Sequence, residues 1–110
     1  MSQQYVHLVA IATVKEGQLE KLLEEVKKIT EVVHNTEPDI LRYYCIQTKN
    51  AKGLDQIIFV EKYTTEEAFK AHTASAHFQA FAGKFSEFLA EPLDIKVGSF
   101  IAGHEVRASL

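Results

Sequence analysis

Apolar and polar positions along this chain change period several times, and each change marks an element. From Tyr5 to Val14 the sequence YVHLVAIATV is β-branched and apolar with few charges, the pattern of a strand buried on most of both faces. From Glu16 to Asn35, Leu19, Leu22, Leu23, Val26, Ile29, Thr30 and Val33 recur at spacings of three and four with glutamates and lysines between them, which predicts an amphipathic helix. Pro38 and Asp39 punctuate the chain before Ile40 to Lys49, where ILRYYCIQTK has strand composition. Asn50-Ala51-Lys52-Gly53 supplies turn residues, and Gln56 to Tyr63 makes the returning strand of a hairpin. Thr64 followed by Glu67 matches a capping box and starts a second helix. Ser75 can cap a turn of its own, so a helix from about Thr65 to Thr73 breaks and restarts through Phe88, and Glu91-Pro92 ends it. Leu93 to Val106 reads as a last strand, with Gly98 and Gly103 as bulge positions.

The order strand, helix, strand, strand, helix, strand predicts an α+β fold. A four-stranded antiparallel sheet with both helices on one face satisfies it through short connections, the ferredoxin-like βαββαβ arrangement. The other sheet face is then bare. Val9, Ile11, Ile58, Val60, Val97 and Ile101 give the strands more apolar surface than two helices cover, so a second copy is expected to pack sheet to sheet as a homodimer. The 110 residues fit one domain, taken as 1–110, and no internal repeat or linker interrupts it.

Composition narrows the partners. Hydrophobic residues at 46% and charged residues at 25% are a globular balance, and the net charge of -3 includes no basic cluster longer than Lys27-Lys28. A phosphate backbone or an anionic membrane has little to hold, so neither nucleic acid nor membrane is expected as a partner. The longest apolar run, Leu8 to Ala12, is too short to span a bilayer, and the polar opening Met1-Ser2-Gln3-Gln4 is unlike a signal peptide, so a cytoplasmic protein is expected. Cys45 is the only cysteine, which excludes an internal disulfide and a thiolate cluster, and it reads as a small hydrophobe in a strand.

Candidate chemistry concentrates between Glu61 and Phe85, where two histidines, a tyrosine and four phenylalanines crowd together. In an unbroken helix the five-residue step from His72 to His77 turns by about 140 degrees, so the rings are expected to diverge. No HExxH sequence is present and no histidine shows ligand spacing with a carboxylate, so no bound metal is expected. Phe69, His72 and Ala76 share a helix face, and Phe78, Phe81, Phe85 and Phe88 follow at helical steps, a stripe that more often fills a core than a pocket. His72 on such a face must find a hydrogen-bond partner or lower its pKa, and either suits a residue exchanging protons near neutral pH. His77, in the first turn after a cap, is the reserve. Glu61, in the apolar strand IIFVEKY, reads as an ion-pair partner for a lysine or arginine, with a buried base as the alternative. Ser75 and Thr64 read as caps, since no nucleophile elbow or glycine-rich phosphate loop accompanies them.

Glu37-Pro38-Asp39-Ile40-Leu41-Arg42-Tyr43-Tyr44, then Phe59-Val60-Glu61-Lys62-Tyr63, then Ala68 and Ala71-His72 with Ser75-Ala76-His77-Phe78 and Phe81, resemble the antibiotic biosynthesis monooxygenase domain. That family's pattern runs from a glutamate-proline-glycine turn through a glutamate-x-tryptophan strand end to alanine-histidine and serine-x-histidine-phenylalanine. The likeness covers roughly Val6 to Ile101, and Glu61 to Phe81 is its most specific block. It implies a dimeric α+β barrel with a pocket between sheet and helices. There, related enzymes oxidise phenols, quinols or anthrones with dioxygen, using neither metal nor flavin and no other cofactor.

On this chain the resemblance implies His72 as proton acceptor or donor with His77 behind it. Phe59, Tyr63, Phe78 and Phe81 become aromatic walls, and Arg42 or Tyr44 an oxyanion partner. The partners implied are a small aromatic molecule, dioxygen and a second copy. Tyr63 stands where the family often has tryptophan, which alters pocket shape, and Asp39 stands where glycine is usual, which alters a turn. Haem-degrading enzymes share the fold but carry their haem-binding histidine where this chain has Ala82. Cofactor-free isomerases or decarboxylases on the same barrel, and a non-catalytic dimer that binds an aromatic metabolite or a protein, are the other classes the resemblance leaves open.

Overall fold

The computed structural model describes residues 5–107, so the opening Met1 to Gln4 lies outside the described residues. Eight elements follow in order: β1 (Val6–Thr13), α1 (Leu19–Thr36), β2 (Ile40–Lys49), β3 (Asp55–Tyr63), α2 (Glu66–Ala74), α3 (Ala76–Ala82), α4 (Phe85–Phe88) and β4 (Asp94–Gly98). The strands form one antiparallel sheet in the order β2-β3-β1-β4. This is the expected ferredoxin-like α+β fold, with its second helix in three pieces.

Register decides which side chains meet. Leu8 lies opposite Glu61 and Ala10 opposite Phe59, while on the other flank of β3 Tyr43 lies opposite Glu61 and Cys45 opposite Phe59. Paired residues share a sheet face, so these rows all point to the same side. That side is the core. Leu8, Ala10, Ala12, Ile57, Phe59 and Tyr63 are buried there against Leu22, Val26, Ile29 and Val33 of α1, with Phe81, Phe88 and Leu89 closing the end. The four α1 residues alone supply about 1.5–3 kcal/mol each of transfer free energy before chain entropy is counted.

The intervening strand positions face away from the helices. Val9, Ile11, Ile58 and Val60 lie on that open face as expected, and Val9, Tyr44 and Ile46 are exposed there. Val97 does not: it pairs with Leu8 and so belongs to the helix side, where the edge strand runs beyond helical cover and leaves it 55% exposed. Ile101 lies past the end of the sheet altogether. Strand β4 stops at Gly98 rather than continuing to Val106, because β1 offers it pairing only from His7 to Ile11. Beyond it, Phe100 reaches the His7 ring at 6.3 Å, and Glu105 binds both Arg42 and, at 2.7 Å, Lys62. Neither Gly98 nor Gly103 forms a bulge; the register shift in β2 lies between Ile40 and Arg42.

The second helix breaks where a serine was expected to cap it. Ser75 is extended at φ -67 and ψ 150; its Oγ accepts from the Phe78 amide at 3.2 Å and donates to the His72 carbonyl at 2.6 Å. One hydroxyl therefore closes α2 and opens α3. The cap of α2 is Thr65, one residue after the expected Thr64: its side chain accepts from the Ala68 amide at 3.0 Å, while the Thr64 amide is held by the Asp39 carbonyl.

Ser75→Ala removes both bonds. It is expected to cost about 1 kcal/mol and to lower the melting temperature by roughly 4–8 °C in a domain of this size. An unchanged melting curve would show that packing alone sets the break.

Candidate active site

Glu37 follows the last residue of α1, with its amide bound to the Val33 carbonyl and Pro38 preventing further helix. A carboxylate at a helix C-terminus opposes the helix dipole and needs donors from elsewhere. It has two. Glu37 Oε2 lies 2.9 Å from His72 Nδ1 and 2.7 Å from His77 Nε2, so with the carboxylate as acceptor both nitrogens donate to one oxygen. The expectation that the two rings diverge is thus overturned, as is the reading that no histidine shares a carboxylate. The extended residue Ser75 restarts the helix in a new direction, and the angular arithmetic of a continuous helix does not apply across it. The three side chains also place one potential metal-ligand atom each within 4.8 Å of one another.

His72 is 2% exposed. Its ring lies 5.5 Å from Tyr43, 5.8 Å from Tyr63 and 5.1 Å from Phe78, centroid to centroid. Burial lowers its pKa below the usual imidazole range, outweighing the hydrogen bond to Glu37, which favours the cation. The site therefore holds a neutral imidazole at neutral pH, oriented through Nδ1 with Nε2 left for another partner.

Strand alternation places Glu61 between Phe59 and Tyr63 on the core side, 7% exposed. Among the described residues it pairs with no lysine or arginine; it accepts a bond from the Tyr63 hydroxyl at 2.5 Å. The expected ion pair is absent because Lys62, the adjacent cation, points to the opposite sheet face and binds Glu105. Burial pushes the Glu61 carboxyl up from 4.5 to about 7, the Tyr63 bond resists this, and the negative charge on Glu37 adds to it. Burial, reinforced by Glu61, likewise raises both Tyr43 and Tyr63 far above the usual phenol range and takes the Cys45 thiol to about 12. Two phenols, a thiol and an imidazole are thus neutral around one acid poised to ionise.

Six of the eight expected site residues meet here. His72, His77, Phe78 and Tyr63 surround the cluster just described, and Phe59 packs against Phe81 at 6.0 Å and Tyr43 at 6.2 Å. Arg42 and Tyr44 do not join them. The pleat of β2 sends both to the open face, where Arg42 pairs with Glu105 and Tyr44 is half exposed. Glu37 and Tyr43 carried no expected role, yet Glu37 orients both histidines and Tyr43 packs edge-on to His72. The signal for Glu37 was an acidic residue at the wrong end of a helix just before a proline.

Glu61 makes stability depend on pH in a definite direction. A carboxyl whose folded pKa is raised from 4.5 to about 7 contributes stability that is fully present below 4.5 and is lost as the pH rises through about 7. The loss is on the order of 3 kcal/mol. Glu61→Gln is expected to flatten this part of the pH profile in denaturant titrations, and a slope unchanged by the substitution would contradict it.

The chain is similar to known proteins in both sequence and fold. The family model described as antibiotic biosynthesis monooxygenase matches residues 5–84. A Bacillus subtilis protein named "Putative monooxygenase YcnE" is 32% identical over 88 residues, 80% of this chain and 90% of its own length. A structure from Caulobacter crescentus, described as a "putative antibiotic biosynthesis monooxygenase", superposes with a TM-score of 0.79 at 20% identity, covering 91% of this chain and 92% of its own. A likewise-described structure from Nitrosomonas europaea gives 0.78 at 20% identity, covering 92% and 94%. At those identities the structures share the fold, whereas the family match spans β1 to α3 and takes in every residue of the cluster around Glu37. The chain belongs to the antibiotic biosynthesis monooxygenase family.

Proposed function

We propose that this protein is a cofactor-independent monooxygenase that oxidises a small phenol, quinol or anthrone-like molecule with dioxygen. The observation that carries the reading is a buried neutral imidazole, oriented by a carboxylate and enclosed by aromatic rings, beside an acid with a pKa of about 7. His72 Nε2 takes the phenolic or benzylic proton of the substrate. Glu37 steadies the imidazolium that forms, and the Glu61–Tyr63 pair supplies a second group able to give or take a proton. The substrate anion, held away from water, passes an electron to dioxygen, and the radical pair combines at carbon. For an anthrone-type carbon the sum is CH₂ plus O₂ giving C=O plus H₂O, so the substrate supplies all four electrons. A cavity of about 150 Å³ lies between α1 and α3 against His77 and Phe81.

A binding-only role is disfavoured by the partner of His72: it is a carboxylate shared with a second histidine rather than a backbone carbonyl, an arrangement that controls tautomer and charge. The exposed apolar residues Val9, Tyr44 and Ile46 support a homodimer packed sheet to sheet. Sedimentation at micromolar concentration is expected to give twice the chain mass.

His72→Gln and His72→Ala are expected to lower kcat by about 100-fold or more on a turned-over phenol, quinol or anthrone. Oxygen-electrode traces should show consumption that stops when dioxygen is removed. Unchanged kcat in both variants would sink the assignment of His72. Turnover that persists without dioxygen would instead identify a cofactor-free isomerase or decarboxylase.

A further inference from the structure

We propose that Glu37, His72 and His77 form a binding site for one divalent first-row transition-metal ion of the kind imidazole favours, such as Co²⁺ or Zn²⁺. The inference does not rest on the oxygenase reading.

The donors come from three separate elements: the C-terminal end of α1, the last turn of α2 and the first turn of α3. Their spacing suits an ion. Glu37 Oε2 stands 2.9 Å and 2.7 Å from the two histidine nitrogens, and all three donor atoms lie within 4.8 Å of one another. The two edges from Glu37 match ligands about 2.1 Å from one ion at roughly right angles. The edge between the two histidine nitrogens, bounded at 4.8 Å, must come within about 4.2 Å as the ion enters.

Two imidazoles and one carboxylate select borderline metals over Mg²⁺ and Ca²⁺, which prefer oxygen. Binding needs no net proton loss from a neutral imidazole. With both rings in the neutral form, the proton on His72 Nδ1 and that on His77 Nε2 move to the opposite nitrogens, and the freed lone pairs and the Glu37 carboxylate take the ion. An occupied site then carries its proton on His72 Nε2, so ion binding and the base role proposed for that nitrogen exclude one another.

Access is built in. A groove of about 180 Å³ lies against Glu37 on the side of Asp39, Ala68 and Ala71, and the cavity of about 150 Å³ between α1 and α3 lies against His77. Solvent-open space thus lies against two of the three donor residues, the side from which exchangeable ligands of an open site come. His72 is packed against aromatic rings and Glu37 is fixed by its backbone bond and Pro38, so two of the three donors are held before any ion arrives.

The test uses the full chain without an affinity tag, stripped with a chelator and titrated with Co²⁺ while heat and visible absorption are followed. One Co²⁺ per chain is expected, with Mg²⁺ failing to compete. His77→Ala and Glu37→Gln should each weaken binding at least about tenfold, whereas His104→Ala, which changes an exposed histidine in the tail, should leave it unchanged. Paramagnetically shifted ring resonances from two histidines of the unsubstituted protein give a second reading that needs no variant. Absence of binding, equal affinity in His77→Ala, or shifted signals from one ring or none would overturn the site. Since no substrate enters the measurement, failure of the oxygenase assay and failure of metal binding are separately visible.

Discussion

The site depends on one oxygen atom. Glu37 Oε2 receives both histidine N–H groups, and through it the end of α1 is tied to α2 and α3 across the break between them. Each participant would be poorly placed alone: the carboxylate faces an unfavourable helix end, His72 is cut off from water, and His77 sits on a helix of seven residues. Charge-assisted bonds to a shared acceptor offset all three at once. The same oxygen fixes which nitrogen of His72 remains for chemistry, so a structural tie and a catalytic orientation are one interaction.

Around this tie the sheet sorts residues by parity. Odd positions of β3 carry Ile57, Phe59, Glu61 and Tyr63 into the core, while even positions carry Ile58, Val60 and Lys62 to the open face. The consequence is electrostatic as well as steric. Glu61 is separated from its neighbouring lysine by the thickness of the sheet and meets a phenol instead, which leaves its desolvation opposed by no cation among the described residues. A single-residue slip in register would expose Glu61 and Tyr63 and bury Lys62.

The sequence made the element order, and with it the fold, readable, because the apolar periods of β1, α1 and β3 are long and clear. The serine cap was also visible as a local signal in Ser75, whose neighbours Thr73 and Ala74 end the first helical run. What remained hidden was non-local. The direction in which α3 leaves Ser75 is set by packing, so the meeting of His72 and His77 was invisible to spacing rules written for a continuous helix. Strand parity separates two of the expected residues from the site: Arg42 and Tyr44 flank Tyr43 in a strand, so they cannot face the same side as it does. The last strand was overextended because FIAG and HEV look strand-like by composition, although β1 has no more residues to pair with them.

The division of the second helix also bears on the order in which the protein acquires its native structure. Helices of nine and seven residues are shorter than those that persist alone in water, so α2 and α3 gain their stability by docking on the sheet. The hairpin of β2 and β3 closes through the short segment at Asn50–Gly53 and can pair locally, whereas the carboxylate of Glu37 is 35 residues from His72 and 40 from His77. The cluster is therefore assembled from non-local contacts carried by short helices. Amide exchange in these two short helices, which hold the histidines without strand pairing of their own, reports on the integrity of the site.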